Sequence, residues 1–230
     1  MLIETPLLNQ LRKLSQDFIE EFNTYLTPFD NIKHVHRFEG WEDYFWHSDV
    51  VRKCHLKTIE PSKNTTNLWL MHINIFPHTN VDLPILGLDI VSSPTKISGC
   101  FFDFSPTTPK RHLYMNVFES LTKDLTWKKQ RELPPWAKEI FSEYIIGAGS
   151  VREGPETDQL KEVTLRLLRY YVQRMDDPMF QKEGLDTREA QNKYCRNQKT
   201  NAQLHKSILA MGISEEDKNQ YVENVLFEEI

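Results

Sequence analysis

The stretch Trp69–Pro106, WLMHINIFPHTNVDLPILGLDIVSSPTKISGCFFDFSP, decides how this chain folds. Two apolar runs, 68–76 and 85–91, flank a segment bracketed by Pro77 and Pro84. Proline cannot donate a ladder hydrogen bond, so it marks strand ends and turns. The pattern predicts an antiparallel hairpin centred between the two prolines. His72 lies five residues before Pro77, and Asp89 five residues after Pro84. A bulge-free hairpin therefore sets them directly opposite each other, with both side chains on one face. Their neighbours are Leu68, Leu70, Ile85 and Val91. An ionisable pair is costly to bury there unless its members partner each other or are put to use.

Working outward, short apolar or alternating runs broken by turn residues continue on both sides of this hairpin. They predict strands over 32–39, 43–49, 52–59, 67–76, 85–93 and 97–104. Connections this short make an antiparallel meander rather than parallel βαβ units. A helix is expected over Pro6–Tyr25, with Leu8, Leu11, Leu14, Phe18 and Phe22 in one stripe. After Pro109 apolar residues recur every three or four positions, predicting helices over 110–124, 136–145, 156–175 and 187–211, and a short one near 215–223. In strand 67–76, Trp69, Met71, Ile73 and Ile75 share one face, while Leu68, Leu70 and Phe76 flank His72 and Asn74 on the other. A sheet apolar on both faces must be covered on both. The expected fold is α/β, a three-layer α/β/α sandwich around a central antiparallel β-sheet. No repeat or linker divides the chain, so residues 1–230 are read as a single domain.

Composition narrows the function. A net charge of −5 argues against nucleic acid as the main partner. No apolar run approaches the roughly 18 residues of a membrane span, and the N-terminus lacks a basic region followed by an apolar segment, so a cytoplasmic protein is expected. Three cysteines without a CxxC spacing support neither a disulfide framework nor a Cys-rich metal or iron–sulfur site. Alternating His34 and His36 make a weak metal signal, commoner as ordinary strand residues, and no metal site is expected. Without a Gly-rich phosphate loop, a nicotinamide or flavin in a Rossmann site is not expected either. Lys110-Arg111 and Lys128-Lys129-Gln130-Arg131 are basic clusters that suit an acidic protein partner, or simply solvated surface.

If a flat ligand lies on one face of the sheet, the His72/Asp89 face is the candidate, because Gly87 leaves room beside the pair. The long C-terminal helix carries Tyr194, Asn197 or Gln198, Asn201, Leu204 and Ile208 in one stripe, so Asn201 sits inside a largely apolar face. A buried amide needs a partner, which a backbone group, a side chain or a ligand can supply. The His–Asp pair serves equally well as a satisfied structural hydrogen bond. Asp103, in FDFSP, reads as a loop cap before Ser105-Pro106.

Several motifs, in order, carry a resemblance: HLK at 55–57, LWLMHINIFP at 68–77, DLPILGLDIV at 82–91, FDFSP at 102–106, QRELPPW at 130–136, IFSEY at 140–144 and YCRNQKTN at 194–201. With them the sequence resembles the ferredoxin-dependent bilin reductases from about Arg52 to the terminal NVLFEEI, and only loosely before that. The resemblance implies an α/β/α sandwich holding biliverdin IXα between the sheet and the C-terminal helices. It implies no cofactor bound by the protein, reduced ferredoxin as external one-electron donor, radical intermediates, and a monomer. It places Asp89 as the central proton donor, His72 as its partner, and His55 as a second histidine near the pocket. Asn201 falls at a polar position near the bilin, Arg131 at a residue that binds a propionate, and Ser98 at a further pocket position.

The chemistry suits the residues. Biliverdin is large, flat and apolar with two carboxylates, so it asks for an apolar slot and a few basic groups. Each one-electron reduction makes the bilin more basic, and a positioned acid completes the step without a hydride donor. Protons here belong to the His72–Asp89 pair rather than to either member. Two departures bear on the product. Members that form phycocyanobilin carry a glutamate linked to vinyl reduction where this chain has Lys57, and Ala202-Gln203 replaces their acid-and-basic pair after the asparagine. These departures point to reduction of the 15,16 methine bridge and then the A-ring diene system, giving phycoerythrobilin. Phycocyanobilin, a two-electron product, or a non-catalytic bilin carrier remain as alternatives.

Overall fold

The computed structural model describes residues 3–29, 38, 40–61 and 66–230. The expected strand 32–39, with His34 and His36, lies almost wholly outside the described residues.

Helix α1 spans Pro6–Tyr25. Thr5 caps it, its hydroxyl accepting from the Leu8 N–H at 3.2 Å, and Pro6 occupies the first position, where a missing donor costs nothing. The chain then enters a seven-stranded sheet: β1 (Thr27–Pro28), β2 (Trp41–His47), β3 (Val51–Ile59), β4 (Trp69–Pro77), β5 (Ile85–Ser93), β6 (Lys96–Ser105) and, later, β7 (Ile146–Ala148). The strands lie in sequence order and every pairing is antiparallel, which is the expected meander. Around β7 run α2 (Leu113–Thr122), the single turn α3 (Pro135–Lys138) and α4 (Pro155–Arg174). The chain finishes with α5 (Arg188–Lys199), α6 (Ala202–Ala210), α7 (Glu215–Tyr221) and a π-helical turn, Val222–Leu226.

The two faces of the sheet differ in character. On one, Trp69, Met71, Ile73, Ile75, Leu88 and Phe104 pack against α1, α2 and α4 in the main core. On the other, Phe45, Phe76 and Ile85 meet Tyr194, Ile208 and Tyr221 from α5, α6 and α7. The layers are those expected from the sequence. The second face is less apolar than the pattern suggested, because charged and polar residues of β2 to β6 are laid across it.

Three local expectations change. The helix expected over 187–211 breaks at Asn201, whose side-chain oxygen accepts from the Gln203 and Leu204 N–H groups and caps α6. Asn competes for backbone donors in this way, which favours it at helix starts over helix interiors. The helix expected over 136–145 shrinks to α3, since the Ser142 N–H is drawn off to the Asp103 carboxylate at 2.9 Å. Strands β1 and β7, at two and three residues, are too short to leave a periodic signal.

Among the described residues no helix is long and apolar enough to cross a membrane.

Candidate active site

The sheet builds the site by lateral register. Asp43, Lys57, His72, Asp89 and Phe101 follow one another across β2, β3, β4, β5 and β6 as direct partners. The next row on the same face reads Phe45, His55, Asn74, Gly87 and Asp103. Side chains two apart on a strand share a face, so both rows point toward the C-terminal helices.

The pairing of His72 with Asp89 is the one the hairpin predicts. His72 Nδ1 lies 2.7 Å from Asp89 Oδ1. The two differ in environment: the His72 side chain is 6% exposed and that of Asp89 45%. The carboxyl group thus opens on a cleft while the imidazole stays beneath it. Asn74 Nδ2 contacts His72 Nε2 at 2.8 Å, the Tyr194 hydroxyl donates to Asn74 Oδ1 at 3.4 Å, and Gln198 Nε2 donates to the Tyr194 oxygen at 3.0 Å. The cleft is lined by Gly87, Asp89, Phe101, Asp103, Phe141, Ile145, Tyr194 and Gln198. Gly87 does not leave open room as expected. A β-carbon there would stand 2.8 Å from the Tyr194 hydroxyl, so the missing side chain admits that tyrosine.

His55 belongs to a second cluster and is fully buried. Its Nε2–H donates to Asp43 Oδ1 at 2.7 Å, and the Tyr221 hydroxyl donates to the same oxygen at 2.5 Å. The ring stacks on Phe45 at 4.5 Å between centroids and stands 6.1 Å from that of His72. Among the described residues, His55 Nδ1 has no hydrogen-bond partner. Burial pushes the imidazole down to about 4, against the pull of Asp43, so His55 is neutral at physiological pH and its bare Nδ1 carries only a lone pair. Burial raises the Asp43 carboxyl, but the hydrogen bond from His55, the charge of Lys57 and the bond from Tyr221 together hold it below its usual value. A stability prediction follows from His55. Between its unfolded value of 6.5 and its folded value of about 4, the unfolded chain binds a proton that the folded chain refuses. Stability therefore falls with pH in that window, by about 1.4 kcal/mol per pH unit from this group. Denaturant titrations from pH 6.5 to 5 are expected to show that slope reduced by one proton in His55→Gln; equal slopes would refute the assignment.

Lys57 is buried in the first row, with Nζ 4.5 Å from the Trp41 ring centre and 4.9 Å from that of Tyr221. Burial pulls it down to about 8, opposed by Asp43 and Asp89. Arg131 and Ser98 come together away from the cleft-lining set: the Arg131 guanidinium donates to the Ser98 backbone carbonyl and packs over Gly149. Asn201, as the cap of α6, is not among the cleft-lining residues.

Asp103 is no loop cap. It lies within β6, opposite Gly87, with its carboxyl buried. It accepts from the Ser142 N–H at 2.9 Å, from the Ser142 hydroxyl, and from the Ser105 hydroxyl at 2.7 Å. Burial raises this carboxyl despite those donors. The following Ser-Pro disguised it; extending the hairpin register one strand further would have found it. Asn74 was legible beside His72 by the same alternation. Asp43 and Tyr221 had no signal, since their meeting joins residues 178 apart in the chain.

Helices on both sides of an antiparallel meander, one face of which carries a row of ionisable residues opening on a cleft, define an α/β/α sandwich with a His–Asp pair at its candidate site. The family model for ferredoxin-dependent bilin reductase matches residues 36–228, and the chain belongs to that family of oxidoreductases. It is similar to the phycocyanobilin:ferredoxin oxidoreductase of Prochlorococcus marinus, at 30% identity over 211 residues, covering 86% of this chain and 81% of the relative. The enzyme of that name from Gloeobacter violaceus is 31% identical over 194 residues, covering 80% and 72%. Two solved structures share the fold: PcyX, at TM-score 0.68 and 21% identity over 96% of this chain and 99% of that one, and tomato phytochromobilin synthase in complex with biliverdin, at TM-score 0.69 and 18% identity over 94% and 82%.

Proposed function

We propose that this chain reduces biliverdin IXα to phycoerythrobilin by way of 15,16-dihydrobiliverdin. Four electrons come singly from reduced ferredoxin, and four protons accompany them. The observation that carries the reading is the His72–Asp89 pair, its 2.7 Å hydrogen bond anchored on a buried imidazole and its carboxyl turned into the cleft. A carboxyl so held can give a proton to a bilin radical and be restored through His72 or solvent. Phe101, Phe141 and Ile145 offer the apolar walls a tetrapyrrole requires. Tyr194, seated over Gly87, is the side chain that must move off the sheet to admit the substrate.

Further roles follow from the family resemblance. His55, in its Asp43 cluster, backs the pair; Asn201 and Ser98 flank the bilin; Arg131 turns from the Ser98 carbonyl to a propionate. Lys57 replaces the acid that vinyl reduction uses, and its ammonium is already taken up by the Trp41 and Tyr221 rings. That favours phycoerythrobilin. The chain works as one domain, without a bound cofactor, as a cytoplasmic monomer.

The names of the sequence relatives favour phycocyanobilin as a second reading. Anaerobic turnover of biliverdin with a ferredoxin-reducing system, products separated against bilin standards, decides between them. Phycoerythrobilin from the wild type is expected, and Lys57→Glu is expected to shift the products toward vinyl reduction. Phycocyanobilin from the wild type would overturn the product assignment, and unchanged, tightly bound biliverdin would leave only a carrier.

A further inference from the structure

His72 is held at both ring nitrogens, and the second contact has a chemical direction. Asn74 is 1% exposed, and its amide lies between the imidazole and Tyr194. Its Nδ2 can only donate, so His72 Nε2 accepts and the ring proton sits on Nδ1, aimed at Asp89 Oδ1. At its other end Asn74 Oδ1 can only accept, and the Tyr194 hydroxyl donates to it. Gln198 then donates to the Tyr194 oxygen. Each link fixes the next, from α5 through β4 to the carboxyl that lines the cleft.

We propose that Asn74 is a positioning residue that, together with Asp89, keeps the proton of His72 on Nδ1 by donating to Nε2, and that its amide turns over when His72 becomes doubly protonated. An imidazolium has N–H groups on both sides, so Nε2–H would then face the Asn74 NH₂, and two buried donors cannot oppose each other. Rotating the amide by half a turn cures this. Oδ1 then accepts from Nε2–H, and Nδ2 donates to the Tyr194 oxygen. That oxygen now takes hydrogen bonds from both Asn74 and Gln198. Its own proton loses its acceptor and turns toward the cleft, which Tyr194 already lines. Loading His72 with a proton thereby presents a second donor, the Tyr194 hydroxyl, to whatever lies there. The other polar or charged groups facing His72 are Asp89 from β5 and, from β3, Lys57, its direct partner, and neutral His55. Neither β3 residue is hydrogen-bonded to Nε2: His55 Nε2 is engaged with Asp43, its Nδ1 makes no hydrogen bond among the described residues, and Lys57 lies over aromatic rings.

The consequence for turnover rests on the function proposed above, whereas the tautomer does not, so the test reads the tautomer directly. Protein labelled with ¹⁵N-histidine is studied without substrate at pH 7.5, the His72 signals being assigned by their loss in His72→Gln. The wild type is expected to show a protonated-type Nδ1 and an unprotonated-type Nε2. In Asn74→Leu, similar in volume but without hydrogen bonds, Asp89 still holds the proton on Nδ1, and the Nε2 signal is expected to move further into the unprotonated range as its donor is lost. In Asn74→Asp, whose carboxylate accepts from Nε2–H, both nitrogens are expected to be protonated-type. Biliverdin turnover by Asn74→Leu is expected to fall about tenfold in kcat with little change in KM. A His72 pattern in Asn74→Leu identical to the wild type would overturn the proposal, as would a wild-type proton on Nε2. If the nitrogens move as expected but the wild type does not reduce biliverdin, the proposed function fails and the role of Asn74 stands.

Discussion

Asp89→Asn is expected to bind biliverdin as the wild type does, yet to reduce it about 10²- to 10³-fold more slowly. The substitution keeps the shape of the side chain. Its amide oxygen still accepts from the His72 Nδ1–H, so the 2.7 Å contact between β4 and β5 survives, and with it the register of the sheet. What disappears is the acidic proton at the group that faces the cleft. In the proposed reaction electrons arrive one at a time, so the loss of a proton donor is expected to strand the substrate after electron transfer. A long-lived radical, followed by absorbance and electron paramagnetic resonance, is the expected signature. Wild-type turnover in the variant would remove Asp89 from the mechanism; a variant unable to bind biliverdin would show that the residue acts in binding.

The largest stability effect is expected at the neighbouring carboxyl. Asp103→Ala leaves the Ser142 N–H, the Ser142 hydroxyl and the Ser105 hydroxyl without the acceptor they share. Unsatisfied buried donors are expensive, and the loss is expected to lower the unfolding free energy by about 3–5 kcal/mol. For a chain of this size that corresponds to a melting point roughly 10 °C lower. Asp103→Asn, which keeps one acceptor, is expected to fall between. The damage reaches the cleft as well, because Ser142 holds the segment that brings Phe141 and Ile145 to its wall. A thermal melt unchanged within about 2 °C would show that Asp103 is not the tie it forms on this face.

The parts legible in the sequence were those governed by one local rule at a time. Pro77 and Pro84 fix a turn, alternation fixes the faces, and the His72–Asp89 partnership follows without any knowledge of the rest. The α1 boundaries follow from Thr5, Pro6 and an apolar stripe that ends at Phe22. Rules in competition were harder to read. Asn201 sits in an otherwise helical periodicity, and its side chain prefers capping to continuing the helix. Asp103 precedes a Ser-Pro turn signal, but hydrogen bonds from Ser105 and Ser142 hold its carboxyl in the interior. The His55 cluster was the least legible, because Asp43 and Tyr221 come from opposite ends of the chain. The family resemblance pointed to His55 without indicating its partners.

The rows that build the site run across the sheet, at right angles to the direction of the chain. Asp43, Lys57, His72, Asp89 and Phe101 are spaced by one complete hairpin each, not by neighbouring positions. Turn lengths are thus as much a part of the chemistry as the side chains are. Inserting or deleting one residue within a strand sends every side chain beyond it to the opposite face. Exchanging one side chain for another at a row position leaves this frame intact. Changes of length are confined to turns that can absorb them, and the frame of the sheet acts like a reading frame for the site.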